Sequence, residues 1–388
     1  MKRPALFVIL PRIPYPLEKG DKLRAYYFIK GLKEHYHITL FALYREKYDS
    51  DVVGQIASVS DQYSFYRISL WSVAWNAILA LFNGKPFQVA YFYNARMKRA
   101  IRNAARESKP DAVFCQLVRT AEYAKGLDSL KILDYQDTLS LGMKRRAESS
   151  SRITSWFYRS EGRRLLRFEK HVSTWFDHTL IISEQDREAL PVKSNNLHVI
   201  PNGVDTIHYS PRDCVKKHQL LFVGNMSYAP NVNAMEYFTD HVLPAVLMPF
   251  PSTKLVIAGA KPHSRIKMLA SDHVIVTGWV DDLREYYCRA LIFVAPMQIG
   301  TGLQNKLLEA MSMGIACITT SLANNALGAT HGENILVANT PGEWVGAVAL
   351  LLGNDELRAQ IAANGKKFVA ENYSWNSQIG KLRQIIES

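Results

Sequence analysis

The sequence is poor in cysteine and contains no long hydrophobic run. Its four cysteines, at positions 115, 214, 288 and 317, are scattered without a C-x-x-C spacing, so we expect neither a disulfide framework nor a zinc site. No segment reaches the ~18 consecutive apolar residues of a membrane-spanning helix. The apolar run behind the basic N-terminal residues is too short for a signal peptide. These absences favour a reducing, cytoplasmic compartment.

Acidic residues are too few to balance the basic ones in the first half of the chain. Residues 1–210 contain 32 Lys and Arg against 21 Asp and Glu, a net charge of +11, whereas residues 211–388 contain 15 against 14, a net charge of +1. We expect the first half to face an anionic partner such as lipid headgroups, a polyphosphate or nucleic acid. A basic surface that only aids solubility is the alternative. At 388 residues, the chain is long enough for two domains.

Strands, glycine-bearing loops and helices alternate through both halves of the chain. Leu6–Leu10 has the pattern of a buried strand, and it precedes a loop with Gly20 and a helix that carries Arg24. Gln219–Val223 predicts another buried strand, which leads directly into Gly224. This alternation predicts an α/β protein with two parallel sheets, joined near residue 210.

The stretch from Ile292 to Thr320 predicts a strand, a glycine loop, a helix and a second strand. The loop contains the Gly-x-Gly sequence at 300–302. Lys306 and Glu309 lie three residues apart on one face of the predicted helix. Glycines let the backbone approach an anion, and a helix N-terminus offers free N–H groups and a positive dipole end. The stretch therefore predicts an anion-binding site.

Two carboxylates follow a predicted strand at Lys131–Asp134 in the first half. Asp134 and Asp137 lie just past the carboxyl end of the strand, where α/β sheets bind ligands. Either residue could instead cap the helix that follows.

Two segments of the first half combine apolar and basic side chains. Trp71–Phe82 predicts an apolar helix followed by basic residues, the composition of a helix at a membrane interface; packing on the domain core is the alternative. Met143–His171 predicts one long basic helix with aromatic residues at 156–158, which suits an anionic membrane surface or a pyrophosphate-linked acceptor. No RNA-binding motif accompanies it, so no nucleic-acid partner is expected.

Several motifs follow one another in the second half of the chain. They are PNGVD at 201–205, FVGNM at 222–226, GWVDDL at 278–283, KLLEAMSMGIACITT at 306–320, HGENILV at 331–337 and YSW at 373–375. In this order they resemble the retaining glycosyltransferases of family four, and most of all the sugar transferases of bacterial exopolysaccharide clusters. The segment from Pro14 to Arg24 and the Asp134/Asp137 pair extend the resemblance loosely into the first half.

The resemblance implies the GT-B fold, in which two Rossmann-like domains face each other across a cleft. Residues 1–210 would form the acceptor-binding domain and residues 211–373 the nucleotide-sugar-binding domain. Residues 374–388 would form a helix that packs back on the first domain.

The resemblance also implies which residues bind the donor. They are Gly20, Gly224, Asn225, Gly300, Thr301, Gly302, Leu303, Glu309 and Val280. Glu309 would accept hydrogen bonds from the ribose hydroxyls, a role that suits a carboxylate; a solvated helix charge is the alternative. The backbone at 300–303 would lie against the donor sugar and diphosphate, and Val280 would lie near the base.

The chain departs from the family at two places. Thr301 stands where relatives carry the first glutamate of an E-x7-E pair, a residue that contacts sugar hydroxyls, so the sugar stays open. Many relatives have an arginine just after the position of Gly224 and a lysine a few residues later, and both bind the diphosphate. In this chain Asn225 and Met226 stand there, and no lysine follows nearby. Because a cation is needed where leaving-group charge develops, we expect Lys306 to replace this pair, with Arg24 as the alternative.

Taken with the resemblance, these residues predict a metal-independent, retaining hexosyltransferase. Its donor would be a UDP- or GDP-sugar, bound as substrate, with no cofactor and no metal. Its acceptor would be a glycan or a lipid-linked molecule. Asp137 is a candidate for the residue that takes part in proton transfer from the acceptor hydroxyl. We expect a cytoplasmic protein; attachment of the basic domain to the inner face of the membrane stays open. The alternatives are a nucleotide-sugar epimerase of the same fold and a non-catalytic nucleotide-sugar or nucleic-acid binding module.

Overall fold

A computed structural model of the chain describes residues 3–17, 19–148, 150–190, 192, 195–299 and 302–388. They form two compact units, Met1–Pro201 with Ile379–Ser388, and Asn202–Gln378. The unit boundaries thus follow Pro201 and Gln378, whereas the sequence predicts boundaries at 210 and 373. None of the helices in the described parts of the chain has the length and apolarity needed to cross a bilayer.

The first unit is built on one parallel sheet. Its strands are β1 (Ala5–Leu10), β2 (His37–Tyr44), β3 (Gln62–Arg67), β4 (Ala112–Gln116), β5 (Leu130–Gln136), β6 (His178–Ile181) and β7 (Leu197–Val199). They are ordered β3-β2-β1-β4-β5-β6-β7, and all neighbours are parallel. The chain adds strands outward from β1 in one direction and from β4 in the other. The point where the strand order reverses, which is where such sheets bind ligands, lies between β1 and β4.

Helices accompany this sheet, as the alternating pattern requires. They are α1 (Gly20–Leu32), α2 (Ser50–Val59), α3 (Leu70–Asn83), α4 (Phe87–Tyr91), α5 (Ala95–Ser108), α6 (Ala121–Ala124), α7 (Leu139–Glu148), α8 (Arg152–Val172) and α9 (Glu184–Ala189), with 3-10 turns at Val118–Thr120 and Ser173–Trp175. The prediction of one long helix over Met143–His171 is wrong. The chain forms a hairpin of α7 and α8 there, closed by Ser155, which donates to the carbonyl oxygen of Ala147 (2.8 Å).

The second unit repeats the design. Its strands are β8 (Gln219–Val223), β9 (Lys254–Ala258), β10 (Val274–Gly278), β11 (Ile292–Ala295), β12 (Ala316–Thr319) and β13 (Leu336–Val337), in the order β10-β9-β8-β11-β12-β13. Its helices are α10 (Ala229–His241), α11 (Leu243–Leu247), α12 (Ser264–Met268), α13 (Arg284–Arg289), α14 (Asn305–Ser312), α15 (Ser321–Leu327), α16 (Pro341–Gly353) and α17 (Asp355–Tyr373). A last helix, α18 (Trp375–Glu387), starts in this unit and continues into the first. The strand order reverses between β8 and β11. Two parallel α/β units, as predicted, are confirmed.

The cysteine prediction is wrong in one respect. Cys214 and Cys288 form a disulfide with an S–S distance of 1.98 Å, although 74 residues separate them. Cys115 and Cys317 are free thiols in the two cores. Sequence spacing does not reveal the pair, because it arises where the segment before β8 passes α13.

Candidate functional site

A cluster of polar groups in the second unit lies at the carboxyl ends of β8 and β11. Gly224 directly follows β8, and a Cβ at this position would lie 2.6 Å from Asn231 Nδ2 and 3.5 Å from Lys306 Nζ. Asn231, buried in the first turn of α10, donates from Nδ2 to the carbonyl oxygen of Asn225 (2.9 Å). The close approach of Asn231 to the backbone explains why a glycine follows the strand.

Lys306 reaches the same point from the first turn of α14. Its Nζ donates to Asn231 Oδ1 (2.5 Å) and lies 4.3 Å from the centroid of the Phe222 ring. Burial lowers the pKa of Lys306 to about 7, and the nearby Glu309 carboxylate partly opposes that shift. The side chain is half-buried. Lys306 therefore places an amine, which a bound anion would hold in the charged form, at the reversal of strand order, where parallel sheets bind ligands. It also lies beside a helix N-terminus, which favours anions.

Glu309 lies one turn further along α14. Tyr287 Oη donates to Glu309 Oε2 (2.9 Å). Burial raises the pKa of Glu309 to about 7, against the effects of the hydrogen bond from Tyr287, the charge of Lys306 and a hydrogen bond from Tyr209. Two tyrosines thus hold the carboxylate in place, and it is not a solvated helix charge. Among the ion pairs of the described residues, none joins Lys306 to Glu309.

A cavity of about 220 Å³ adjoins this carboxylate through Tyr209. Val280 and Leu283, which follow β10, line it together with Tyr209 and Gly259. One wall is fixed by an ion pair in which Arg284 donates to both oxygens of Asp282 (2.7 and 2.8 Å). The Arg284 guanidinium holds the pKa of Asp282 well below its usual range. A carboxylate beside a partly apolar cavity can bind the ribose and base of a nucleotide.

The glycine loop before α14 is described only in part. Gly300 and Thr301 lie outside the described residues. Gly302 has a φ of 114°, a backbone conformation that favours glycine. Leu303 packs against the core of the second unit, and α14 begins after it. Asn225 is exposed, and its Oδ1 accepts a hydrogen bond from the backbone of Ser227 (3.0 Å).

Arg24 differs from the expectation that it reaches an anion. Its guanidinium is completely buried and donates to both oxygens of Asp134 (2.6 and 3.1 Å). It also donates to the carbonyl oxygen of Pro201 (3.2 Å) and lies 4.5 Å from the Phe28 ring centroid. A buried cation with these partners holds α1 to β5 and leaves no exposed face for a ligand. The diphosphate alternative for Arg24 therefore finds no support in this geometry.

The other two candidates of the first unit are accessible. Gly20 is the exposed first residue of α1, and a Cβ there would meet nothing within 4 Å. Asp137 is exposed just after β5. Its pKa is raised, first by loss of hydration among surrounding protein groups and then by the charges of Asp186 and Asp134. A carboxyl group with a raised pKa at the carboxyl end of a strand is suited to proton transfer.

Arg119 was not singled out by sequence reasoning. It follows β4 at the reversal of the first sheet, donates to Gln88 Oε1 (3.1 Å) and lies 5.1 Å from the Phe92 ring centroid. Burial and the charge of Arg12 lower its pKa to about 10. No signal in the sequence distinguishes it from the other arginines. Across the described residues, no group of three or more His, Cys, Asp or Glu is placed to hold a metal ion.

The second unit is similar in sequence to a known protein family. Residues 217–354 match the family Glycosyl transferases group 1. The glycosyltransferase match includes β8, β11 and α14, and hence Gly224, Lys306 and Glu309. Over 389 residues the chain is 23% identical to a Klebsiella pneumoniae protein described as "Uncharacterized 44.6 kDa protein in cps region", covering 95% of this chain and 96% of that protein.

Solved structures of other proteins share the fold of the whole chain. The HepE protein of Anabaena in complex with UDP is 12% identical, covers 99% of both chains and gives a TM-score of 0.69. Sucrose-phosphate synthase from Thermosynechococcus elongatus is 14% identical, covers 99% of this chain and 98% of its own, and gives a TM-score of 0.67. The predicted fold class, GT-B with two Rossmann-like domains, is confirmed.

Proposed function

We propose that this protein is a retaining, metal-independent glycosyltransferase that moves a hexose from a UDP- or GDP-sugar to a glycan or lipid-linked acceptor. The observation that carries the proposal is the contact between Lys306 and Asn231 at the β8/β11 junction, with Glu309 one turn away. The glycosyltransferase family match covers this junction. Its nucleotide sugar is the substrate, and we propose no further cofactor.

The proposed reaction needs charge stabilisation on the leaving diphosphate. Lys306 and the free amides at the start of α14 would neutralise the diphosphate as the bond to the sugar breaks. The Glu309 carboxylate would accept hydrogen bonds from the ribose hydroxyls, with the base in the cavity beside Val280. In retaining transferases of the resembled family the acceptor attacks on the face that the diphosphate leaves, so no protein nucleophile is assigned. Asp137 would receive the proton of the acceptor hydroxyl.

The biological setting is proposed from the relatives. The Klebsiella protein is described as lying in a cps region, which supports a role in the synthesis of a bacterial surface polysaccharide. We place the reaction in the cytoplasm, with the acceptor bound by the basic first unit.

A donor and acceptor panel tests the reaction class. The full chain is incubated with UDP-, GDP- and TDP-sugars, each with and without a polyprenyl-diphosphate sugar acceptor, and nucleoside diphosphate release is measured. Release that depends on acceptor supports transfer. Interconversion of the donor sugar without acceptor would identify an epimerase, and donor binding without any turnover would identify a binding module.

Substitution of Glu309 tests the ribose assignment. Glu309→Gln keeps an acceptor for Tyr287 but removes the charge, so we expect UDP affinity to fall about 10- to 100-fold, the loss for charge-assisted hydrogen bonds. Titration calorimetry measures it. Glu356→Gln, an exposed residue on α17, is the matched control and should bind UDP like the wild type. Equal affinity of the Glu309 variant and the wild type would show that Glu309 does not bind the nucleotide.

A further inference from the structure

Helix α3 exposes an apolar face that no described part of its unit covers. The helix contains no charged residue and buries only Ala80. Trp71, Trp75 and Phe82 are 87%, 63% and 85% exposed, and Ile78 is also exposed. At 100° per residue these four side chains share one face of the helix. A face of this kind marks a site of interaction with a protein or a membrane.

Helix α8 exposes a basic face. Its six basic residues outnumber its two acidic ones, Glu161 and Glu169, which are both buried. Trp156 is 69% exposed. Helical spacing places the exposed arginines on both sides of it: Arg152, Arg159, Arg163 and Arg167. The accessible charge of α8 is therefore entirely positive.

The two helices are joined. Arg164 of α8 donates from Nη1 to the carbonyl oxygens of Ala80 (2.7 Å) and Lys85 (3.2 Å) at the end of α3. Phe157 stacks on Phe87, which follows α3, with ring centroids 5.8 Å apart. Helices α3 and α8 are thus neighbours in the first unit. We call their two exposed faces together the α3–α8 surface (Trp71, Trp75, Ile78 and Phe82 with Arg152, Trp156, Arg159, Arg163 and Arg167).

We propose that the α3–α8 surface binds an anionic phospholipid membrane, with α3 lying in the interface and the arginines of α8 on the headgroups. Tryptophan favours the boundary between headgroups and acyl chains, and arginine is attracted to anionic lipid. A second copy of the chain fits less well, because it would bring two arginine faces into the same contact. The inference adds a partner to the proposed function and does not rest on it.

Vesicle flotation tests the proposal with the full chain. We expect the protein to float with vesicles of phosphatidylcholine and phosphatidylglycerol at low salt, to float little with phosphatidylcholine alone, and to be released by high salt, because salt screens charges at the surface.

Variants locate the contact. Arg152→Gln/Arg159→Gln/Arg163→Gln should lower the partition coefficient on anionic vesicles about 100-fold, at roughly fivefold per arginine. Trp71→Ser/Trp75→Ser/Phe82→Ser should abolish flotation. The changed side chains are exposed, so both variants should fold, which circular dichroism checks. Met248→Ser/Met268→Ser and Lys366→Gln/Lys367→Gln, exposed residues of the second unit, are the matched controls and should float like the wild type.

Three outcomes would overturn the proposal. The first is a wild-type protein that stays unbound on anionic vesicles, and the second is surface variants that float as well as the controls. The third is self-association in lipid-free sedimentation that the α3 variant abolishes, which would assign the surface to a second copy. UDP binding is measured separately without lipid, so failure of the membrane proposal is distinguishable from failure of the proposed transferase.

Discussion

Lys306 lies where burial and a neighbouring carboxylate act on its charge in opposite directions. Burial dominates and lowers its pKa to about 7, while Glu309 acts to raise it. At pH 8 the amine of the free protein is then mostly neutral. A diphosphate beside Nζ stabilises the ammonium form and raises its pKa. We therefore expect UDP binding at pH 8 to take up close to one proton, ~0.9 from the titration curve of a group with this pKa.

Calorimetry in Tris and phosphate buffers measures this uptake, because the buffers differ in their enthalpy of ionisation. Glu309, with its pKa raised to about 7, is already mostly ionised at pH 8 and contributes little. Lys306→Met should abolish the uptake and weaken binding, whereas Lys366→Met, on the exposed face of α17, should change neither. UDP binding by the wild type without proton uptake would exclude Lys306 as the diphosphate cation.

The sequence allowed individual site residues to be predicted, but not the side chains with which they form hydrogen bonds. Lys306 and Glu309 stand out because a glycine loop and a helix start precede them. Asn231, which holds Lys306, comes from 75 residues away, and its buried position depends on how α10 packs against β8. The pairing of Arg24 with Asp134 spans 110 residues. A sequence shows an arginine near a predicted site, but only packing decides whether it is buried in an ion pair.

At the scale of elements, the ends of β8 and β9 approach each other closely. Gly259 follows β9 with a φ of 138°, and a Cβ there would overlap the carbonyl oxygen of Gly224. Gly259→Ala should therefore lower the free energy of unfolding by about 3 kcal/mol or more, from steric overlap and backbone strain together. Urea unfolding measures the loss.

Gly332 provides the matched control. It also has a positive φ, 78°, but a Cβ there would meet nothing within 4 Å. Gly332→Ala should lower the free energy of unfolding only through backbone strain, by about 1–2 kcal/mol. If both variants lost the same free energy of unfolding, Gly259 would be needed only for its backbone conformation. It would then not set the spacing of β8 and β9.

Elements with continuous apolar sequence were the ones that could be predicted. The predicted strand at Gln219–Val223 has the same bounds as β8, because strands buried on both faces are apolar along most of their length. β3, with the sequence QYSFYR, was missed because it lies at the sheet edge, where polar side chains are tolerated. The α7–α8 hairpin was interpreted as one helix because basic residues continue from the end of α7 into α8.

At the scale of the whole molecule, the unequal charge of the two halves was evident from composition, but the surface that carries it was not. The arginines of α8 are ordinary members of a basic helix in the sequence. Their exposure together around Trp156 follows from the burial of Glu161 and Glu169 on the opposite side. A sequence can therefore predict an anionic partner for the first unit, while the α3–α8 surface requires the fold.

The four cysteines allow a prediction about the thiol content of the whole chain. With Cys214 bonded to Cys288 and with Cys115 and Cys317 buried, protein prepared without reductant should show no thiol that reacts with Ellman's reagent when native. After denaturation it should show two, the four cysteines less the bonded pair. Cys214→Ser should raise the denatured count to three, and four thiols in the denatured wild type would rule out the bond.

Reduction should also affect the donor site. The bond joins positions separated by 74 residues, a cross-link that stabilises by about 4 kcal/mol through the entropy of the unfolded chain. Cys288 directly follows Tyr287, whose hydroxyl donates to Glu309, so a loosened α13 would release the carboxylate. We therefore expect reductant to lower both the unfolding free energy and the UDP affinity of the wild type. The Cys214→Ser variant should start at the reduced values and not respond to reductant, because it has no bond to lose.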